Sequence, residues 1–263
     1  MTWLAGLPAG VLVVGWLAFA LGVAALSRLA FRVIVPVDEY DHVTSIAAPL
    51  MPALGATFAV LMALTLSSEA GYLRTAQDLV SQEASAASRL AWAATNPGVN
   101  TAPIQSALTD YLRSTREREW HGASATEGDD PETARALARL ERVVRAEAAK
   151  PALGSAVSGE LLTSLDTLSS QRRARIAAAS RTIPPLIIVT LVVSGAALII
   201  NGGALVFRRT LRTSVLILGL ACVVGLSLAL LFALTAPWDG PLIVSGKAID
   251  TVVRDLQSGF FAP

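Results

Sequence analysis

Charge is scarce in this sequence. Only 16% of its 263 residues are Asp, Glu, Lys or Arg, against about 25% in an ordinary soluble domain. Neither sign dominates: 21 basic and 20 acidic residues leave a net charge of +1. No basic excess exists to neutralise the phosphates of a nucleic acid, so a nucleic-acid partner is not expected. There is a single cysteine, Cys222, which excludes an intramolecular disulfide and argues against a cysteine-based metal site. Histidine is almost absent too. His42 and His121 stand far apart, and no Ser-His-Asp arrangement can be built from them. What the chain has instead is apolar surface: 53% of its residues are hydrophobic and the mean hydropathy is +0.57. One core of this size cannot enclose that much. An integral membrane protein is the class that remains, and the lipid bilayer its first partner.

Four uncharged windows fit that class: Met1–Ser27, Val43–Ser68, Thr182–Phe207 and Thr213–Trp238. Each is roughly 26 residues, longer than the ~20 needed to cross a bilayer as a helix. A span in lipid must satisfy its own backbone hydrogen bonds, so helices are expected. The first window lacks the positive n-region of a signal peptide and reads as a retained span, with Trp3 as an interfacial anchor. Its helix is expected over about 4–26, with Arg28 and Arg32 snorkelling to the far interface. The second is expected over 46–66, with Pro49 and Pro52 in its first turns, where proline is tolerated. The third and fourth are expected over 183–207 and 214–236, joined by a tight link carrying Arg208, Arg209 and Arg212.

The charges concentrate between the hairpins. Residues 67–182 hold 14 basic and 14 acidic residues and read as a membrane-proximal helical domain. Ala76, Leu79, Val80, Ala87 and Leu90 recur at helical spacing, so the second span is expected to continue outward until Asn96-Pro97-Gly98 breaks it. A helix around Ile104, Leu108, Tyr111 and Leu112 should end near Trp120, before a polar loop over His121–Asp129. Asp130-Pro131-Glu132 is a helix start, with Asp as cap and Pro at the first position. Leu137, Leu140 and Val144 mark that helix, which Lys150-Pro151 ends; Val157, Leu161, Leu165 and Leu168 mark the next. The segment 239–263 is an amphipathic tail with Ile249, Val252, Val253 and Leu256 at helical spacing, lying on the membrane or on the protein. The fold class is therefore all-α: an N-terminal hairpin over 1–66, the helical domain over 67–182, a C-terminal hairpin over 183–238, and the tail.

Candidate chemistry is sparse. Tyr40-Asp41, Val193-Ser194-Gly195 and Gly246-Lys247 each lack the partner motif that catalysis or phosphate binding would need. No enzyme, cofactor or metal is expected. No window carries an ionisable group at its centre, which argues against proton-coupled transport. Asn201 is the most polar residue deep in a span; it reads as an interhelical hydrogen bond before a pore contact. Gly10, Gly15 and Gly22 in the first span, and Gly195, Gly202 and Gly203 in the third, read as close helix packing. An apolar constriction of the same helices could alternatively gate a pore by dewetting. Glu69 and Glu83 follow the second span, and in a symmetric oligomer could ring a pore mouth and favour cations. Arg172, Arg173 and Arg175 read as a solvated face or as a contact for anions or lipid headgroups. The narrow apolar stripes and small residues predict a homo-oligomer.

The order of two spans, a helical middle and two spans carries short motifs: Ala76, Val80 and Glu83-Ala84; Ile104, Leu108, Tyr111 and Glu119-Trp120; then Pro237-Trp238-Asp239-Gly240. Together they resemble the bestrophin-like family of bacterial membrane proteins, over nearly the whole chain. Two departures stand out: Ala70 where the family often has Trp, and Thr235-Ala236 where it often has Asp-Arg. The resemblance implies bestrophins, pentameric anion channels with a cytoplasmic helical domain, and hence an inorganic ion as ligand. No bestrophin pore motif can be placed residue by residue. Glu119, Trp120, Pro237, Trp238, Asp239 and Gly240 are the motif residues carried over. Trp238 reads most simply as an interfacial belt residue and Asp239-Gly240 as a turn, with a dock for the tail as the alternative. Two function classes follow: an ion channel, or a non-conducting membrane scaffold or sensor whose helical domain binds a protein partner.

Sidedness divides the two arguments. Five arginines in the short links, against Lys247 and Arg254 in the tail, favour an extracytoplasmic domain. Counting Arg172, Arg173, Arg175 and Arg181 reverses that bias, and the resemblance implies a cytoplasmic domain. A cysteine at Ser124, in the polar loop, reads this out. Short-link charge predicts labelling by an impermeant maleimide in intact cells; protection until lysis would overturn it.

Overall fold

The computed structural model describes residues 8–120, 130–180, 183–207, 211–235, 238 and 242–262. Among these the elements are all helices: α1 (Ala9–Ile34), α2 (Tyr40–Ala93), α3 (Thr101–Arg118), α4 (Pro131–Ala148), α5 (Ser155–Ala179), α6 (Pro185–Val206), α7 (Leu211–Leu234) and α8 (Lys247–Ser258). Four of them, α1, α2, α6 and α7, are long and apolar enough to cross a membrane. The protein is a multi-pass membrane protein of the all-α class. Trp3, the loop 121–129, Arg181, Arg208 and Arg209 lie outside the described residues, as does the side chain of Arg212.

The chain divides into two compact units. The first comprises Met1–Gly71 and Thr182–Leu242. In it α1 packs on α6 and α7, and α6 on α7. Ala20, Ala24, Phe58, Met62, Leu198, Ile199, Ala221 and Val224 form its core. Helix α1 runs eight residues past its expected end, through Arg28 and Arg32. Neither arginine simply snorkels outward. Arg28 Nη1 donates to Ser214 Oγ at 2.5 Å, and Arg32 Nε donates to the Phe207 carbonyl at 2.6 Å. Phe207 is the C-cap of α6, where carbonyls lack helical donors and a cation is favoured. Close approach is dictated by glycine. A Cβ on Gly225 of α7 would sit 3.0 Å from the Trp16 carbonyl oxygen and 3.2 Å from Leu17 Cα of α1. Gly195 and Gly202 are similarly crowded, but Gly10, Gly15 and Gly22 have nothing within 4 Å. The packing expected of the first-span glycines is therefore absent among the described residues.

Helix α2 is 54 residues long. Nothing between its apolar half and its charged half breaks it, since neither Pro nor a Gly pair intervenes. It starts at Tyr40 rather than 46, which moves Pro49 and Pro52 from the first turns into the helix body. Pro52 has no N–H for the Ala48 carbonyl. The neighbouring Ala47 carbonyl accepts from Asn201 Nδ2 at 2.9 Å.

The second unit comprises Tyr72–Arg181 and Ile243–Pro263. Helix α2 ends at Ala93, and Gly98 takes a left-handed φ of 87° in the turn that follows, a conformation glycine adopts without steric cost. Glu147 accepts from the Asn100 backbone N–H and from Lys150 Nζ, each at 2.7 Å. Burial pushes its pKa up, but the two donors and the lysine charge outweigh it and hold the carboxyl below its ordinary value. Asp130 caps α4 by accepting from the Glu132 and Thr133 backbone N–H groups at 2.9 and 3.0 Å, a cap worth about 1 kcal/mol. The tail packs on the protein: Ile249 and Val252 of α8 are buried, and Asp250 pairs with Arg116 of α3 at 3.1 Å.

Replacing Gly225 by Leu forces a side chain against α1 backbone, a cost of about 1–3 kcal/mol. The detergent-solubilised protein should lose roughly 2–10 °C of its apparent unfolding midpoint by circular dichroism. Gly219→Leu, where the space is open, should leave the midpoint unchanged.

Candidate functional site

One face of α2 is exposed along its length. Ile46, Leu50, Ala53, Thr57, Val60, Leu64, Ser67, Gly71, Arg74, Asp78, Ser81, Ser85, Arg89 and Trp92 are all exposed and fall three or four residues apart. This is close to a 3.5-residue period, the spacing of a seam facing an axis shared between helices. Up to Gly71 the seam carries no charge. The Thr57 hydroxyl on it is spent on the Ala53 carbonyl at 2.9 Å. Arg74 and Asp78 are its first ionisable groups, and neither pairs with another described residue.

The opposite face of α2 leads to a buried charge cluster in the second unit. Glu83 follows Tyr72, Ala76 and Val80 and precedes Ala87 and Leu90, all buried. Arg175 Nε donates to Glu83 Oε2, and its Nη2 to Glu119 Oε2, both at 2.5 Å. Arg172 Nη2 donates to Glu119 Oε1 at 2.7 Å. The Tyr111 hydroxyl donates to Glu83. Two guanidinium groups thus meet two carboxylates with almost no water: Glu83 is 0% exposed, Glu119 and Arg175 1%, Arg172 6%. Burial works against the Arg175 charge, but the two carboxylates outweigh it and raise the pKa further, so the cation is permanent. Burial, then Glu83, pushes the Tyr111 phenol well above its ordinary value; it is a neutral donor. Trp120 lies under the Arg175 guanidinium at 5.3 Å and donates from Nε1 to the Val244 carbonyl at 3.0 Å. Gln77 exchanges two hydrogen bonds with the Ser245 backbone, at 3.2 and 2.8 Å.

Several expected site residues are placed differently. Glu83 does not face open water: it is enclosed by Arg175 and Tyr111. Glu69 is buried too, on the α2 face that carries Phe58 and Met62, away from the exposed seam. Arg172 and Arg175 are not a solvated or headgroup-facing run, because they continue the buried stripe Leu161, Leu165, Leu168 of α5. Arg173, off that stripe, is exposed. Asn201 makes the interhelical hydrogen bond to Ala47. Glu119 and Trp120 come together in the cluster. Trp238 is buried rather than at an interfacial surface. Pro237, Asp239 and Gly240 lie outside the described residues. Sequence reasoning missed Tyr111 and Arg116 as partners, although both sit on α3, the helix leading into Glu119-Trp120. Among the described residues no three His, Cys, Asp or Glu side chains are placed to hold a metal.

The sequence model of the Bestrophin-like domain matches residues 17–249. The chain belongs to the bestrophin-like family. No curated protein sequence matches it. Solved structures do. The chain is similar to a bacterial bestrophin homolog from Klebsiella pneumoniae, with 16% identity and a TM-score of 0.70 over 94% of this chain and 97% of that one. A variant of that homolog with one tryptophan changed to alanine aligns with 17% identity and a TM-score of 0.72 over 94% and 96%. Another, with one isoleucine changed to threonine, aligns with 16% and 0.69 over 93% and 99%. At such identity the likeness is one of fold.

In this bestrophin-like protein the cluster is balanced, so removing one member should be costly. Arg175→Met leaves Glu83 and Glu119 short of a buried counter-charge, a loss of about 3–5 kcal/mol. It should sharply lower folded yield in membranes by size-exclusion analysis. Arg173→Met, on the exposed side, should stay within about 0.5 kcal/mol of wild type.

Proposed function

We propose that the protein is one subunit of an oligomeric anion channel, conducting passively along an axis lined by the exposed seam of α2. The observation that carries this reading is the seam itself: an exposed face running from Ile46 to Arg89 of one uninterrupted helix. Membership of the bestrophin-like family, whose name points to pentameric anion channels, supports it. A closed ring of identical chains would bring copies of the seam together. Ile46, Leu50, Val60 and Leu64 would then form an apolar stretch able to gate by dewetting, and the polar residues from Ser67 onward a wider vestibule. The anion preference is favoured further because Glu69 and Glu83 are withdrawn from the seam, which leaves Arg74 as its first charge after the apolar stretch.

The uncharged seam positions from Ile46 to Gly71 also favour the other class, a non-conducting scaffold or sensor, since none of them attracts an ion. Native mass spectrometry in gentle detergent followed by chloride efflux from liposomes separates the two. A single closed ring with chloride flux is expected, and Leu64→Ala should raise that flux several-fold by shortening the apolar stretch. A stable monomer or dimer would sink the axial channel. A ring without flux, in wild type and Leu64→Ala alike, would leave the scaffold.

A further inference from the structure

We infer that Arg74 is the residue that sets ion selectivity, and that Asp78 opposes it. This deepens the channel reading and rests on it. Eight seam positions from Ile46 to Gly71 carry no charge, and Arg74 is the first that does. Its guanidinium is exposed and makes no ion pair with another described residue. Asp78 lies four residues on, the spacing of a helical ion pair, yet the two do not pair. Arg before the acid is the weaker order for such a pair, which leaves both charges available to the axis.

Burial removes Glu69, Glu83, Arg172 and Arg175 as selecting charges. Arg172 and Arg175 are neutralised by Glu83 and Glu119 inside the second unit. Glu69 and Glu83 lie off the seam. Arg89 is on it, but 15 residues further along, about 22 Å at 1.5 Å per residue, beyond a Debye length in physiological salt. In a ring each copy repeats the charge, so one substitution changes as many charges as there are subunits. A ring of arginines next to an apolar stretch raises the local anion concentration where dehydration is hardest. The ring of Asp78, one turn away, draws cations to the same region and weakens the preference.

The test is a reversal-potential measurement on the full-length protein in planar bilayers, under a KCl gradient. Wild type should prefer chloride over potassium. Arg74→Gln should lower that permeability ratio several-fold, Arg74→Lys should keep it, and Asp78→Asn should raise it. All are surface changes, and elution as the wild-type oligomer checks assembly. A conducting Arg74→Gln with an unchanged ratio overturns the inference and leaves the channel standing. So does a wild type that prefers potassium, or an Asp78→Asn that shifts nothing. A wild type that does not conduct overturns the channel reading, and this inference with it.

Discussion

A guanidinium removed from water must carry its counter-charge with it, and Arg175 meets that demand from two helices at once. Glu83 comes from α2 and Glu119 from the end of α3, while Arg172 adds a second cation one turn away on α5. Net charge in the cluster is zero, and the remaining polar capacity of Glu83 is met by Tyr111. Desolvating such groups is expensive, and their mutual attraction repays it only when the geometry is good. What the arrangement fixes is register. A shift of α5 by one residue would move Arg172 and Arg175 off the carboxylates and bring Arg173 inward. The tail depends on the same place, because Trp120 packs on Arg175 and holds the Val244 carbonyl.

The first unit follows a different rule. Lipid offers no hydrophobic push between helices, so approach is limited by shape. Gly195, Gly202 and Gly225 let α6 and α7 close on their neighbours, and Asn201 adds a hydrogen bond where α2 carries its prolines. Arg32 of α1 is drawn to the end of α6, where carbonyls have no helical donor, and Arg28 to the Ser214 hydroxyl of α7. Exposed apolar residues such as Val14, Leu26, Val60 and Leu64 remain, as expected of surface facing lipid or other copies of the chain.

Much of the fold was legible in the sequence. Four uncharged windows, Asn96-Pro97-Gly98 and Asp130-Pro131-Glu132 each state their structure through length, a breaker or a cap. The continuity of α2 was legible because its apolar stripe never lapses. The charged members of the core were less so, and the obstacle was residue type. Leu161, Leu165, Leu168, Arg172 and Arg175 form one unbroken stripe, as do Ala76, Val80, Glu83, Ala87 and Leu90. Period places these charges inside; chemistry alone suggests outside. Nothing in one sequence says that three such stripes bring their charges to one point, because that requires the tertiary arrangement. The first-span glycines erred in the other direction: small residues permit contact without specifying it.

The balance in the buried cluster has a genetic consequence. Loss of Arg172 or Glu119 alone strands an opposite charge in a dry interior, whereas losing both to apolar residues of similar volume is close to neutral. Drift at these positions therefore proceeds in complementary pairs, with the single-step intermediates selected against. Among descendants of such a chain, the cluster should be inherited whole or exchanged two residues at a time, and the order in which substitutions are tolerated is written into which oxygen each guanidinium holds.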